Sequence, residues 1–453
     1  MKRNIIFIAI VFLSIKVKAQ VPADTVIRKI FDNVLTKSSA YTDLKVLCKS
    51  IGGRLTGSPQ SYKAIEWTNK TMEKYQNGTV YLQEVMVPHW VRGNNEQAIL
   101  SGAGVQKSFK ANALGGSSAT GKNGITSEII EINSYEQLEK TDVKGKIVFY
   151  NVPMNPKNIN PFTSYGESGK YRWGGPNMAS KAGAAASITR SMTINHDNFV
   201  HTGSTRFKDG NKAIPAFTIS TNEADELSNL LKQNNALKMY LKNEALTLPD
   251  TLSYNVIAEI EGTEFPKEIL TIGGHLDSWD TGEGAHDDGT GIVHCIELLR
   301  VFKELNIKPK RTIRIVAFMN EENGVAGGKK YAQSAKEKGE KHVVAIETDA
   351  GGFTPKGFSF TGSDTQKSKY MEFAKYFKPY NMYDFGREGG GSDIEPLNET
   401  LGTPIMDLLV ESHRYFDVHH TPNDVFENVN KRELELGSAA IISMVYLISE
   451  FGL

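Results

Sequence analysis

The sequence predicts an α/β fold: a mixed, largely parallel sheet sandwiched by helices, with an inserted β-rich domain. Three observations predict it. From about residue 246 onward, short apolar runs alternate with helical stretches, the pattern of a βαβ sheet. Between residues 112 and 245, short strand-like segments follow one another with few helices between them. In the C-terminal part the apolar runs repeatedly stop in His, Asp or Glu, and open α/β sheets bind ligands outside those strand ends.

The first residues read as a leader. Lys2 and Arg3, the apolar run 5–15, and Val17-Lys18-Ala19 before Gln20 fit a secretory signal peptide over residues 1–19. The protein is therefore expected to be exported, to the periplasm or beyond the cell. That run is too short for a membrane span, and no span is expected once it is cleaved. Lys plus Arg and Asp plus Glu number 52 each, so net charge offers no electrostatic ground for a nucleic-acid partner. Export permits disulfides, yet there are only two cysteines. Cys295 sits in the helical pattern VHCIELL, which suits a buried free thiol, so stability must come from the core.

Residues 20–111 form the expected first part of the main domain. There IGGRLTGSPQSYKAIEWTNKTMEKY reads as helices around a Gly/Pro turn, with Ala64, Ile65, Trp67 and Met72 as the apolar stripe. Strand-like TVYLQEVMVPHWVRG and QAILSG follow. The insert is expected over 112–245, opening on the linker NALGGSSATGKNG and continuing through ITSEIIEI, GKIVFYN, a Gly/Pro/Asn-rich loop, AAASITRS and AIPAFTIS to the helix EADELSNLLKQ. Over 246–453, NVIAEIEG, ILTIGGHLD, TIRIVAFMN, HVVAIETDA and TPIMDLLV are the strands. The stretches IVHCIELLRVFKEL, SKYMEFAKYF and KRELELGSAAIISMVYLISEF are helices.

The chemistry concentrates in GGHLDSWDTGEGAHDDGTG, residues 273–291. A Gly-rich loop this dense in acids is hard to explain as a solvated face. Residues i and i+2 of a strand share a side, so His275 and Asp277 point together, as a metal-binding imidazole and its orienting carboxylate would. TIRIVAFMNEE ends at Glu321 and Glu322, HVVAIETDA at Asp349, and HHTPND brings His419 and His420 after another strand. Each motif alone is weak; four acidic or histidine-bearing strand ends together point to a metal site.

Together these motifs resemble the M28 family of co-catalytic zinc peptidases, with a zinc-exopeptidase (phosphorylase/hydrolase-like) fold. GGRLTGSP, VPHWVRG and the insert, similar to a protease-associated domain, resemble the plasma glutamate carboxypeptidase branch. The resemblance implies two Zn²⁺ ions bridged by Asp287, with His275 and Asp349 completing one position, and Glu322 and His420 the other. Glu321 is implied as general base, Asp277 as the group behind His275, and Asp288 as the partner of Asp287 in a cis peptide. His420 is preferred over His419 because the family's ligand stands just before Thr or Ser and four residues ahead of an Asp, here Asp424. Three carboxylates and a bridging hydroxide would balance two Zn²⁺, ions that in such pairs sit ~3.5–4 Å apart. The implied activity is hydrolysis of dipeptides, or of the N-terminal residue of short peptides, and the implied oligomer is a homodimer. A broader aminopeptidase, a glutaminyl cyclase-like acyltransferase and an inactive binding homologue are the competing readings. His286 and His294 are expected to be bland loop or helix-surface residues, and Trp90 and Arg92 packing residues. His413, Ser392 and Asp393 are candidate substrate contacts.

Overall fold

The computed structural model describes residues 22–75, 78–208, 210–234 and 236–453; the expected leader, 1–19, lies outside the described residues. Two sheets organise the chain. The larger has seven strands in the spatial order Thr79–Val91, Leu246–Ile260, Arg311–Phe318, Phe265–His275, Lys341–Glu347, Ile405–Val410 and Pro355–Thr361. From Arg311–Phe318 to Ile405–Val410 the pairings are parallel, and the flanking pairings are antiparallel.

The parallel strands are apolar on both faces because helices cover both. Leu270, Ile272, Ile313, Ile315, Val344 and Ile346 face one side. They pack against the helices Ala23–Lys37, Pro59–Tyr75, Thr290–Glu304 and Lys431–Phe451. Val316, Phe318 and Ala345 face the other side, against Ala326–Lys338 and Glu395–Leu401. Against the expectation that no window after the leader is apolar enough for a span, the C-terminal helix Lys431–Phe451 is long and apolar enough to cross a membrane; it is buried within the protein core, and that burial accounts for its composition. Cys48 and Cys295 are both free and buried.

The second sheet has eight strands, in the order Val105–Phe109, Gln97–Gly102, Lys238–Lys242, Ile125–Ile132, Ile147–Tyr150, Ala186–Arg190, Ala216–Ile219 and Ala111–Ala113. It takes in two strands upstream of residue 112. It also carries helices where the sequence suggests a loop: Pro161–Trp173 forms despite Gly166 and Gly169, because Asn160 accepts a hydrogen bond from the Phe162 N–H and Pro161 sits at the first helical position. This helix lays Phe162 and Tyr165 against Tyr415 and Phe416, and so abuts the turn that carries His419 and His420.

Candidate metal centre

The parallel register sets the site. Neighbouring strands Phe265–His275, Arg311–Phe318 and Lys341–Glu347 end on one edge, which aligns His275 with the Glu321–Glu322 turn and with Asp349. Asp287 comes from the turn Ala285–Gly289, and His419 and His420 follow the helical turn Tyr415–Val418. His275 Nε2 lies 3.0 Å from Asp287 Oδ1 and 3.4 Å from Asp349 Oδ1. His420 Nε2 lies 3.2 Å from Asp287 Oδ2 and 3.1 Å from Glu322 Oε2. Asp287 thus offers one oxygen to each of two imidazole–carboxylate pairs.

These residues fit metal ions on their own showing. Asp287 Oδ2 and Asp349 Oδ1 are buried oxygens that make no well-aligned hydrogen bond among the described residues, with imidazole nitrogens 3.2 and 3.4 Å away, an arrangement that a bound cation relieves. Ligand atoms of His275, Asp287 and Asp349 gather within 4.8 Å of one another, and so do those of Asp287, His419 and His420. A mixed imidazole and carboxylate set suits zinc. The far nitrogen of each ring is also held: His275 Nδ1 is 3.0 Å from the Asp277 carbonyl oxygen, and His420 Nδ1 is 3.3 Å from that of Thr202. His419 competes with His420, but its Nε2 is 3.8 Å from Asp287 Oδ2 and its ring is stacked on that of His420, centroids 3.6 Å apart. Only His420 touches both Asp287 and Glu322.

The crowded loop distributes its acids among several partners. Among those acids, only Asp287 contacts both histidine–carboxylate pairs. Asp280 is clasped by Arg92, at 2.7 Å to Nη2, and Glu283 pairs with Lys49 at 2.7 Å. Asp277 Oδ1 stands 4.0 Å from His275 Nδ1, at the edge of ion-pair range, while the hydrogen-bond contact with that nitrogen is made by the Asp277 carbonyl oxygen at 3.0 Å. Its carboxylate accepts hydrogen bonds from Thr56 Oγ1 and from the Asn320 and Glu321 N–H groups, and so fixes the Glu321–Glu322 turn. Asp288, joined to Asp287 by a cis peptide, accepts from the His275 and Gly291 N–H groups. Asp424 accepts from the N–H groups of His286 and Asp287, a physical reason for an acid four residues beyond His420. Arg54, fully buried, donates to the carbonyls of Leu276, Glu283 and Gly284 and ties the loop down.

Several residues read as bland have partners. Arg92 joins the loop, through Asp280, to the Thr202 hydroxyl between the second-sheet strands Ala186–Arg190 and Ala216–Ile219. His286 is a satisfied core histidine, accepting from the Gly352 N–H and stacked on Phe353. His294 is buried rather than on the helix surface, with Nδ1 3.1 Å from the Thr348 hydroxyl. Ser392 hydrogen-bonds the Glu321 carboxyl, whereas Asp393 is buried with neither carboxylate oxygen partnered among the described residues. His413 is exposed and pairs with Glu411 on the rim of the adjoining cavity.

Without metal, several acids around the cluster resist ionising. Burial pushes Glu322 up to about 8, and Glu321 and Asp424 to about 7. Burial also opposes charge on His420, but Glu322 and Asp287 overcome it and hold the imidazole up at about 10. Each of these groups binds a proton in the metal-free folded chain at a pH where the unfolded chain has released it. Stability that is present at lower pH is therefore lost as pH rises. His286 and His294, which burial pushes down to about 4, carry the opposite sign, but only below about pH 6.5. The metal-free protein is accordingly expected to lose melting temperature between about pH 6.5 and 8, and zinc to abolish the loss. A metal-free melting temperature that stays flat or rises over that interval, by scanning calorimetry, contradicts this electrostatic picture.

Comparison with known proteins agrees with this geometry. The model of peptidase family M28 matches residues 255–445, which contain every residue of the cluster. Carboxypeptidase Q of Mus musculus and of Homo sapiens are each 32% identical over 416 residues, 91% of this chain and 86% of theirs. A peptidase M28 precursor from Shewanella amazonensis superposes with a TM-score of 0.89 at 31% identity, over 94% of this chain and 96% of that one. A zinc aminopeptidase from Bacillus subtilis, 22% identical, shares the fold with a TM-score of 0.64 over 90% and 93% of the two chains. The match to the carboxypeptidase Q proteins runs through both sheets, and with the gathered imidazoles and carboxylates it leads to one conclusion: this chain belongs to peptidase family M28 and is a metallopeptidase.

Proposed function

We propose that the chain is an exported exopeptidase that carries two zinc ions and hydrolyses dipeptides or removes the N-terminal residue of short peptides. The observation that carries this reading is Asp287, with its two oxygens directed at separate His–carboxylate pairs. His275 and Asp349 would hold one ion, Glu322 and His420 the other, with Asp287 between. When bound, such a pair makes water acidic enough to attack near neutral pH and polarises the scissile carbonyl.

The chain's own residues do the remaining work. Glu321 and Glu322 are adjacent, yet Glu322 faces His420 while Glu321 meets Ser392. Glu322 is thereby free to bind metal while Glu321 takes a proton from the attacking water and returns it to the leaving amine. Burial raises the Glu321 carboxyl above the usual carboxylate range in the metal-free chain, which strengthens it as a proton acceptor. Asp277 holds the backbone of that turn through two N–H groups and so fixes where Glu321 stands.

The test is a zinc-supplemented panel of dipeptides, tripeptides and longer peptides, each with free and acetylated N-termini. Rapid cleavage of dipeptides, a steep fall with length and loss of activity on acetylation or chelation are expected. Equal rates on longer peptides favour a broader aminopeptidase, and cleavage inside acetylated peptides contradicts the exopeptidase reading.

A further inference from the structure

Beside Asp349 a cavity of about 890 Å³ opens between the strands Lys341–Glu347, Ile405–Val410 and Pro355–Thr361 and the segment 159–162 of the insert. Its lining is strongly acidic. Three of its acids are matched: Lys356 pairs with Glu411 at 3.1 Å, Arg387 with Asp384 at 2.6 Å, and Lys367 with Glu388 at 3.5 Å. Glu347 and Asp407, deeper in, have no cationic side chain in ion-pair range among the described residues.

These two acids stand side by side, because Glu347 and Asp407 are register partners across a parallel pair and so share a face. Glu347 is fully buried. Its Oε2 accepts from the N–H groups of Asp393 and Ile394, which fixes the carboxylate, while Oε1 has no partner among the described residues. Asp407 Oδ1 is likewise unpartnered. Gly391 lets the covering loop close over Glu347, since a Cβ there would lie 2.2 Å from its carboxylate carbon. Phe162, Leu409 and Val410 supply apolar wall.

A cavity with Phe162, Leu409 and Val410 on its wall and paired acids at its inner end suits an alkyl stem with a cationic head. We propose that the cavity receives a lysine or arginine side chain of the peptide substrate, with its head against the part-exposed Asp407 and the buried charge of Glu347 behind it. The inference rests on the peptidase reading above and goes further by naming the substrate class.

Matched dipeptides test it in the zinc-loaded protein: Lys-Ala against norleucine-Ala, and Ala-Lys against Ala-norleucine. Norleucine keeps the stem and lacks the charge. A charge-assisted hydrogen bond predicts a kcat/KM ratio of about tenfold or more for lysine at one of the two positions. Asp407→Asn is expected to bring that ratio most of the way to unity, whatever its effect on the absolute rate. If norleucine is cleaved as well as lysine at both positions, the pocket serves something else, such as the free α-ammonium, and the inference fails while the peptidase reading stands. If no dipeptide is cleaved, the dipeptidase reading on which the inference rests falls.

Discussion

Glu321→Gln is expected to lower kcat by ~10²–10⁴ while the zinc content of the protein stays that of the parent. The substitution preserves size and a hydrogen-bonding partner for Ser392, and leaves the Asp277 bonds to the turn intact, because those are made by backbone N–H groups. It removes only the ability to accept a proton. KM should change little, since an interaction used in the transition state lowers kcat and kcat/KM together. Steady-state kinetics beside elemental analysis of the same preparation checks this. A variant that keeps most of its turnover assigns the base elsewhere, and one that loses zinc makes Glu321 a ligand.

Asp287→Ala is expected to have the larger effect, on metal and rate together. One side chain contacts both His275 and His420, at 3.0 and 3.2 Å, so its loss would withdraw an oxygen from each of the two proposed metal positions at once. Bound zinc should fall below two per chain, and activity should drop at least as far as in Glu321→Gln. Asp349→Ala provides the contrast: it contacts His275 alone of the two, and should weaken one position while sparing the other. Titration calorimetry of the chelated proteins with zinc distinguishes the two variants. Two tight zinc sites retained in Asp287→Ala contradict a shared ligand.

Much of this was legible in the sequence, and what was not follows from the range of the interactions. An apolar run that stops in an acid or histidine is visible in a few consecutive residues, so His275, Glu321, Glu322 and Asp349 stand out locally. The strand order then brings them together, because parallel strands must end on the same edge. The supports are invisible because they act across the chain. Arg54 reaches Leu276 and Gly284 from more than 200 residues away, and nothing in GGRLTGSP by itself tells a buried anchor from a surface arginine. Asp277 illustrates a subtler limit: the i, i+2 rule places side chains, but the group that orients His275 is a carbonyl, and every residue has one. The helix Pro161–Trp173 was obscured by its glycines, which argue against a helix locally while Asn160 and packing on Tyr415 and Phe416 decide for it. The paired acids Glu347 and Asp407 lie on strands separated in sequence, and only the sheet register reveals them as neighbours.

The most direct test of the central claim is a crystal of the zinc-loaded protein measured on both sides of the zinc absorption edge. Two anomalous peaks are expected, ~3.5–4 Å apart, with Asp287 between them, His275 and Asp349 on one, and Glu322 and His420 on the other. A single peak, or a second one held by His419 in place of Glu322, contradicts the assignment made here.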